Sequence, residues 1–136
     1  MNTIFHLAFK VKDIESTLDF YNNILGCKTG RVTSNWIDFD FFGHQLSAHI
    51  SANIPKPDYC GKVDKLEVPI PHFGCILKRK DFDIVKKQLL KHHIEFLVKP
   101  QIRYKDKKGE QQTMFVFDYS YNAIEFKTFK DKSEIF

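Results

Sequence analysis

Three side chains interrupt apolar, strand-like runs at places where a polar group is costly. His6 leads LAFKV, His72 stands in PIPHFGCIL at 69–77, and Glu125 sits in AIEFKTF at 123–129. A carboxylate alone in a sheet pocket carries a large desolvation cost unless it is paired or ligated. Two neutral imidazoles and one carboxylate that converge would satisfy a divalent metal ion and leave positions open for water or substrate. Taken singly, each residue has a plainer reading. A strand histidine is most often a satisfied structural one, and Glu125 could pair with Lys127 or Lys10. Joint placement favours the metal, because each histidine opens a short strand followed by an acidic residue, Asp13 or Asp81, and then an amphipathic helix.

The elements that must position these residues follow from periodicity. In Phe5–Val11, alternation puts Phe5, Leu7, Phe9 and Val11 on one face and His6, Ala8 and Lys10 on the other. Asp13 is placed to cap a helix over Ile14–Leu25, with Ile14, Leu18, Tyr21 and Leu25 on one stripe and Gly26 as its stop. Strands follow near 28–33, 35–41 and 44–50, with Gly43 marking a tight connection. In the last of these, Leu46, Ala48 and Ile50 share the apolar face, and Gln45, Ser47 and His49 the other. In the middle one, Asp38 and Asp40 alternate with Ile37, Phe39 and Phe41.

Residues 51–71 hold four of the five prolines and Gly61, and read as a long linker. The pattern then restarts with a strand at His72–Leu77 and a helix near Asp81–His92 that carries Phe82, Val85 and Leu89 on one stripe. Strands near 94–98, 101–105, 112–117 and 123–129 complete the chain, with the loop KDKKGE at 105–110 as a hairpin-like connection. Parity sets His72 opposite Phe73 and Glu125 opposite Ile124 and Phe126, so His6, His49, His72 and Glu125 all face away from the helices. The expectation is an α+β fold in a single domain, 1–136. One βαβββ module covers about 4–51, a linker about 52–70 and a second βαβββ module about 71–130, together forming a curved, half-open mixed sheet around a central cavity.

Composition narrows the function classes. With 136 residues, 43% apolar, and 14 phenylalanines, the chain can fill the core of one domain. The net charge of +4 comes from dispersed lysines without interleaved aromatics, which argues against a nucleic-acid surface. No apolar run approaches the roughly 18 to 20 residues of a membrane helix. MNTIFHLAFKVKD lacks the basic start, apolar core and small-residue site of an export signal, so a cytoplasmic protein is expected. Cys27, Cys60 and Cys75 are odd in number and widely spaced, which suits buried or idle thiols rather than a disulfide framework or zinc knuckle.

Three stretches, HLAFKVKDIESTLDFYNNILG at 6–26, PHFGCIL at 71–77 and FDYSYNAIEF at 117–126, resemble the vicinal oxygen chelate superfamily. That superfamily groups glyoxalase I, extradiol dioxygenases, fosfomycin-resistance proteins and bleomycin-binding proteins. The resemblance spans nearly the whole chain and is specific for the fold, not for a reaction. It implies metal ligands at His6, His72 and Glu125, holding one divalent ion per site: iron(II), nickel, zinc or manganese. His49 falls where glyoxalase I enzymes carry a further ligand, usually glutamate, which implies a ligand, an acid or base, or a substrate contact. Glu125 and His49 are then the two candidate catalytic bases.

Parity and resemblance turn Thr113 and Phe115 towards the cavity as substrate contacts, with Ser47 beside His49. Arg103 is a candidate anion clamp, since a planar guanidinium holds a carboxylate bidentately; its plainer reading is a loop-edge arginine paired with Glu110. One departure concerns the last turn, commonly Asp-Pro-x-Gly-Asn in the family and here DYSYN at 118–122. Without the glycine, the left-handed position falls to Asn122, or the turn differs.

The resemblance implies a metalloenzyme that chelates a small substrate through neighbouring oxygens, with the ion acting as a Lewis acid to stabilise an enediolate or activate dioxygen. The alternative is a non-catalytic, drug-sequestering protein of the bleomycin-resistance type, and a third reading is a fosfomycin-type thiol transferase. A homodimer is expected, with its pockets inside one chain or shared by two.

Overall fold

The structure, a computed structural model, describes residues 1–63 and 65–136, the side chains of Cys60 and Gly61 excepted. The thiol reading of Cys60 and position 64 of the expected linker therefore lie outside the described residues. The chain divides into two compact units, one of Met1–Lys56 with Asp118–Asn122 and one of Pro57–Phe117 with Ala123–Phe136.

In the first unit, β1 (His6–Val11) is followed by α1 (Ile14–Leu18), β2 (Lys28–Val32), β3 (Trp36–Phe41) and β4 (His44–Ile50). The sheet runs β1-β4-β3-β2, with β1 parallel to β4 and the other pairs antiparallel. Asp13 accepts from the Ser16 amide at 2.7 Å and caps α1, and Gly26 closes the helical segment at φ +76°. Between them the helix does not run straight: a π-helical turn occupies Asp19–Ile24. The wider turn rotates the buried stripe, so Thr17, Phe20, Tyr21, Ile24 and Leu25 are buried, while Ile14 and Leu18 are half-buried. These side chains meet Ile37, Phe39, Phe41, Leu46 and Ala48 from one face of the sheet, all nearly inaccessible.

The second unit holds β5 (Asp58–Val63), β6 (Leu66–Ile70), β7 (His72–Ile76), α2 (Arg79–Lys91), β8 (Phe96–Arg103), β9 (Gln111–Phe117) and β10 (Ala123–Phe129). Its four-stranded sheet runs β7-β10-β9-β8, with β7 parallel to β10, which repeats the order of the first. The α+β class and the doubled βαβββ order are thus as expected. Phe82, Val85 and Leu89 of α2 are buried, as their spacing predicts, and Met114, Val116, Ile124 and Phe126 are buried on the sheet.

Three expectations change. Most of the supposed linker is ordered, because β5 and β6 pair antiparallel as a hairpin. Two strands cannot bury an apolar face alone; here Val68 packs with Val98 and Phe115, flanked by Leu66 and Leu97. Its prolines hid it from a composition reading, though Pro69 is tolerable on a strand whose outer edge needs no donor. The pieces near 94–98 and 101–105 are one strand, β8, whose register to β9 shifts between Val98 and Gln101. Finally, the left-handed residue of the 118–122 turn is Tyr121, at φ +61°, not Asn122. Asn122 instead ties the turn down, its side-chain amide donating to the Lys10 carbonyl and to Asp118, both at 2.9 Å.

Candidate functional site

His72 begins β7 and Glu125 lies mid-β10, next but one to the residue paired with His72 in the parallel ladder. Their strands lie close because residue 74 is glycine: a Cβ there would land on the Glu125 carbonyl group. His72 Nε2 stands 3.2 Å from Glu125 Oε2, and the carboxylate is 8% exposed. On the other side of the ring, Nδ1 lies 2.7 Å from the Pro69 carbonyl oxygen. A carbonyl only accepts, so Nδ1 carries the hydrogen and, in a neutral ring, Nε2 turns its lone pair towards the carboxylate. That is repulsive unless a proton or another cation stands there.

The surroundings fix both partners. The Thr113 hydroxyl, fully buried, donates to Glu125 Oε1 at 2.7 Å, and Lys127 Nζ approaches Oε2 at 3.7 Å. The Phe115 ring meets the His72 ring edge to face, with centroids 5.0 Å apart. Burial alone would raise the Glu125 carboxyl, but the His72 and Thr113 hydrogen bonds and the Lys127 charge bring it below its usual range. The hydrogen bond to Glu125 raises His72 against the opposing effect of burial, with help from the Pro69 carbonyl.

This donor set fits a divalent ion as far as it goes. Two donors 3.2 Å apart, each at the ~2.1 Å typical of Zn–N or Zn–O bonds, subtend about 100°, between the octahedral and tetrahedral values. A ring nitrogen tied to a carbonyl and a carboxylate held by a hydroxyl are also the outer-sphere partners that metal ligands usually have. His6, the proposed third ligand, is exposed at the start of β1 in the first unit. Among the described residues, no three His, Cys, Asp or Glu side chains come together as a metal-holding group.

The remaining site candidates fall as follows. Ser47 is buried and gives its hydroxyl hydrogen to Asp38 Oδ1 at 2.5 Å, and Phe115 is buried under Val68. His49 is exposed and stacks on Trp36, 6.1 Å between centroids at 26°. Ladder register pairs His6 with Gln45 and His72 with Ala123, so Glu125 corresponds in the first unit to Ser47, and His49 corresponds to Lys127. Arg103 donates from Nη2 to the Val63 carbonyl at 3.1 Å, which ties β8 to the end of β5. Cys27 is buried, and burial pushes the half-buried Cys75 thiol up to about 11.

Sequence reasoning did not anticipate Pro69, because a backbone carbonyl leaves no mark in residue type. Asp38 was legible only as one of two alternating aspartates.

The family model described as Glyoxalase/Bleomycin resistance protein/Dioxygenase superfamily matches residues 3–126. A solved glyoxalase/bleomycin resistance protein/dioxygenase from Alicyclobacillus acidocaldarius is 32% identical, covers 99% of this chain and 97% of its own, and has a TM-score of 0.82. Metallothiol transferase FosB of Lysinibacillus sphaericus (strain C3-41) is 26% identical over 109 residues, 80% of this chain and 72% of that protein. The fosfomycin resistance protein FosX of Listeria monocytogenes, at 15% identity and a TM-score of 0.73 over 100% of this chain and 99% of its own, shares the fold.

Proposed function

Because the chain belongs to the Glyoxalase/Bleomycin resistance protein/Dioxygenase superfamily, we propose that it is a divalent-metal-dependent enzyme that takes a small substrate through two neighbouring oxygens. The observation that carries this reading is the placement of His72 Nε2 3.2 Å from Glu125 Oε2, with Nδ1 occupied by the Pro69 carbonyl. His72 and Glu125 are two of the proposed ligands, and His6 is the third on the strength of the resemblance. When bound, the ion supplies Lewis acidity to the substrate oxygens.

The protein's own residues do the rest. The Pro69 carbonyl keeps the His72 proton on Nδ1, and Thr113 holds Glu125 Oε1 so that Oε2 faces the imidazole. Lys127 offsets the carboxylate charge, and the Phe115 ring packs edge to face on the His72 imidazole. Glu125 and His49 remain the candidate bases for moving a substrate proton. The relative named metallothiol transferase supports thiol addition as one reaction to assay, beside dioxygen uptake with a catechol and isomerisation of a hemithioacetal. A homodimer is part of the proposal.

One observation favours the drug-binding alternative: His72 in its protonated form, Glu125 and Lys127 satisfy one another without an ion. Elemental analysis of protein purified without chelators, beside His72→Ala, decides between them. Near one transition metal per chain, lost in the variant, supports the enzyme. Metal-free protein that stays so after reconstitution with iron(II), nickel, zinc and manganese refutes it.

A further inference from the structure

The α2 face of the second sheet changes character at one end. Along β10, Ile124 and Phe126 are buried beneath the helix, and the next residue on that face is Thr128. Along β9, Val116 and Met114 are followed on the same face by Gln112. Ladder register sets Gln112 beside Thr128 on one side and beside Ile102 of β8 on the other. Periodicity calls for apolar side chains at all three places, and two of them are polar. The three line an open cleft of about 400 Å³, walled by Arg79 at the start of α2 and by Phe129, Lys130 and Glu110 at the strand ends.

Thr128 is 4% exposed, and among the described residues its hydroxyl has no hydrogen-bond partner. A hydroxyl so placed weakens the fold, where valine would suit both strand and face, unless something in the cleft takes it. The amide of half-buried Gln112 is likewise without a partner among those residues. Both groups donate and accept, which matches an amide. At the rim, Arg79 gives Nε to the two Asp83 oxygens at 3.1 and 3.0 Å, and its Nη groups make no hydrogen bond among the described residues. The end of the fork therefore offers two parallel donors, the geometry that grips a carboxylate. Glu110 accepts from the Asp106 amide and pairs with Lys130, yet it keeps an anion in the wall, which disfavours a ligand with a second negative charge. Ile102 and Phe129 supply apolar contact for a short carbon chain.

We infer that this cleft binds a small monocarboxylate that carries an amide, with the carboxylate on Arg79 and the amide on Gln112 and Thr128. It lies on the face of the sheet opposite Glu125 and needs no metal ion, so it is a site separate from the proposed centre.

N-Acetylglycine is titrated into isotope-labelled, metal-free protein held in EDTA and followed by NMR. Saturable shifts are expected at the Thr128 methyl and the Gln112 side-chain amide. Arg79→Gln should weaken binding about tenfold, the scale of one charge-assisted bond, and Thr128→Val about fivefold, the scale of a neutral one. Because the Thr128 hydroxyl has no partner among the described residues, Thr128→Val should melt no lower than the wild type, which a structural threonine would not allow. N-Acetylglycinamide, which keeps the amide without the charge, and propionate, which has the charge without the amide, should each bind about tenfold more weakly. Shifts that do not saturate overturn the inference, as do folded variants that bind like the wild type, propionate that binds as well as N-acetylglycine, or a Thr128→Val variant that melts lower. EDTA keeps the two readings apart: failure here leaves the metal centre untouched, and absence of metal leaves this cleft untouched.

Discussion

Thr113→Val separates a positioning hydroxyl from a substrate contact. Valine keeps the shape of threonine and removes the hydrogen that Thr113 gives to Glu125 Oε1 at 2.7 Å. Thr113 is fully buried and Glu125 8% exposed, so water does not readily replace the lost donor. A hydrogen bond to a charged group contributes about 1.5–3 kcal/mol. Loss of an outer-sphere partner typically costs about 10–100-fold in metal affinity, which is about 1.4–2.8 kcal/mol. The two figures agree in scale. Competition for zinc against a chromophoric chelator reads the affinity directly, and Thr113→Ser, which keeps the hydroxyl, should restore most of it. A readout without metal comes from the Glu125 carboxyl. Because the Thr113 hydrogen bond helps hold its pKa down, that carboxyl should titrate at higher pH in Thr113→Val, followed by side-chain carbon shifts. Folded Thr113→Val with wild-type zinc affinity and an unmoved Glu125 titration would refute the positioning role.

Three more predictions test the frame around the pair. In metal-free protein, the His72 pKa is raised above its ordinary 6.5, so its contribution to stability is complete below 6.5 and fades as pH climbs through the raised value. Glu125, lowered from 4.5, contributes fully above 4.5 and fades as pH falls through its depressed value. The melting-temperature deficit of His72→Gln relative to wild type should therefore be largest between about pH 4.5 and 6.5, and a flat deficit from pH 4 to 9 would contradict the pairing. If His72 is a ligand, a bound ion would displace its Nε2 proton, so zinc affinity should rise with pH through the same titration. Gly74→Ala puts a methyl 2.6 Å from the Glu125 carbonyl carbon, where only backbone could yield. A loss of about 3 kcal/mol or more is expected in urea unfolding, and wild-type stability would show that β7 and β10 do not approach as described. Tyr21→Phe removes the donor that reaches Asp118 Oδ2 at 2.8 Å from a fully buried phenol. Asp118 is already raised by burial against its remaining bonds, so a loss of about 1–3 kcal/mol, with faster amide exchange at Ser120 and Asn122, should follow. A change below about 0.5 kcal/mol would count against that network.

Much of the fold was legible because alternation is local. The parity of WIDFDF and AIEFKTF predicts which side chains the structure buries beneath the helices, and Asp13 and Gly26 mark their helix ends by chemistry that acts within a few residues. What escaped was decided by distant partners. The β5–β6 hairpin depends on Val98 and Phe115, which lie thirty to nearly fifty residues further along the chain, so prolines dominated its local reading. The π-helical turn in DFYNNI has no composition signal, since it shifts which residues are buried without changing their kind. At the candidate site, His72 and Glu125 stood out as polar intruders and are in fact adjacent. The Pro69 carbonyl that sets the His72 tautomer could not have been read from residue identity at all.

The two sheets share strand order and register, and they use it differently. At the position of Glu125 the first sheet has Ser47, and at the position of Phe115 it has Asp38, so each sheet keeps one buried carboxylate but on neighbouring strands. Glu125 on β10 faces an imidazole whose second nitrogen is already occupied, which suits a metal. Asp38 on β3 accepts from the Ser47 hydroxyl and pairs with the Arg31 guanidinium, which offsets its charge and lies over the Trp36 ring. A carboxylate satisfied in this way gains nothing from an ion, and the cation it anchors would repel one. The two sheets thus share strand order and register but surround their buried carboxylates differently, with an imidazole beside the one in the second sheet and a guanidinium beside the one in the first. His49 pairs in register with Trp36, and its counterpart in the other sheet is Lys127, not a carboxylate.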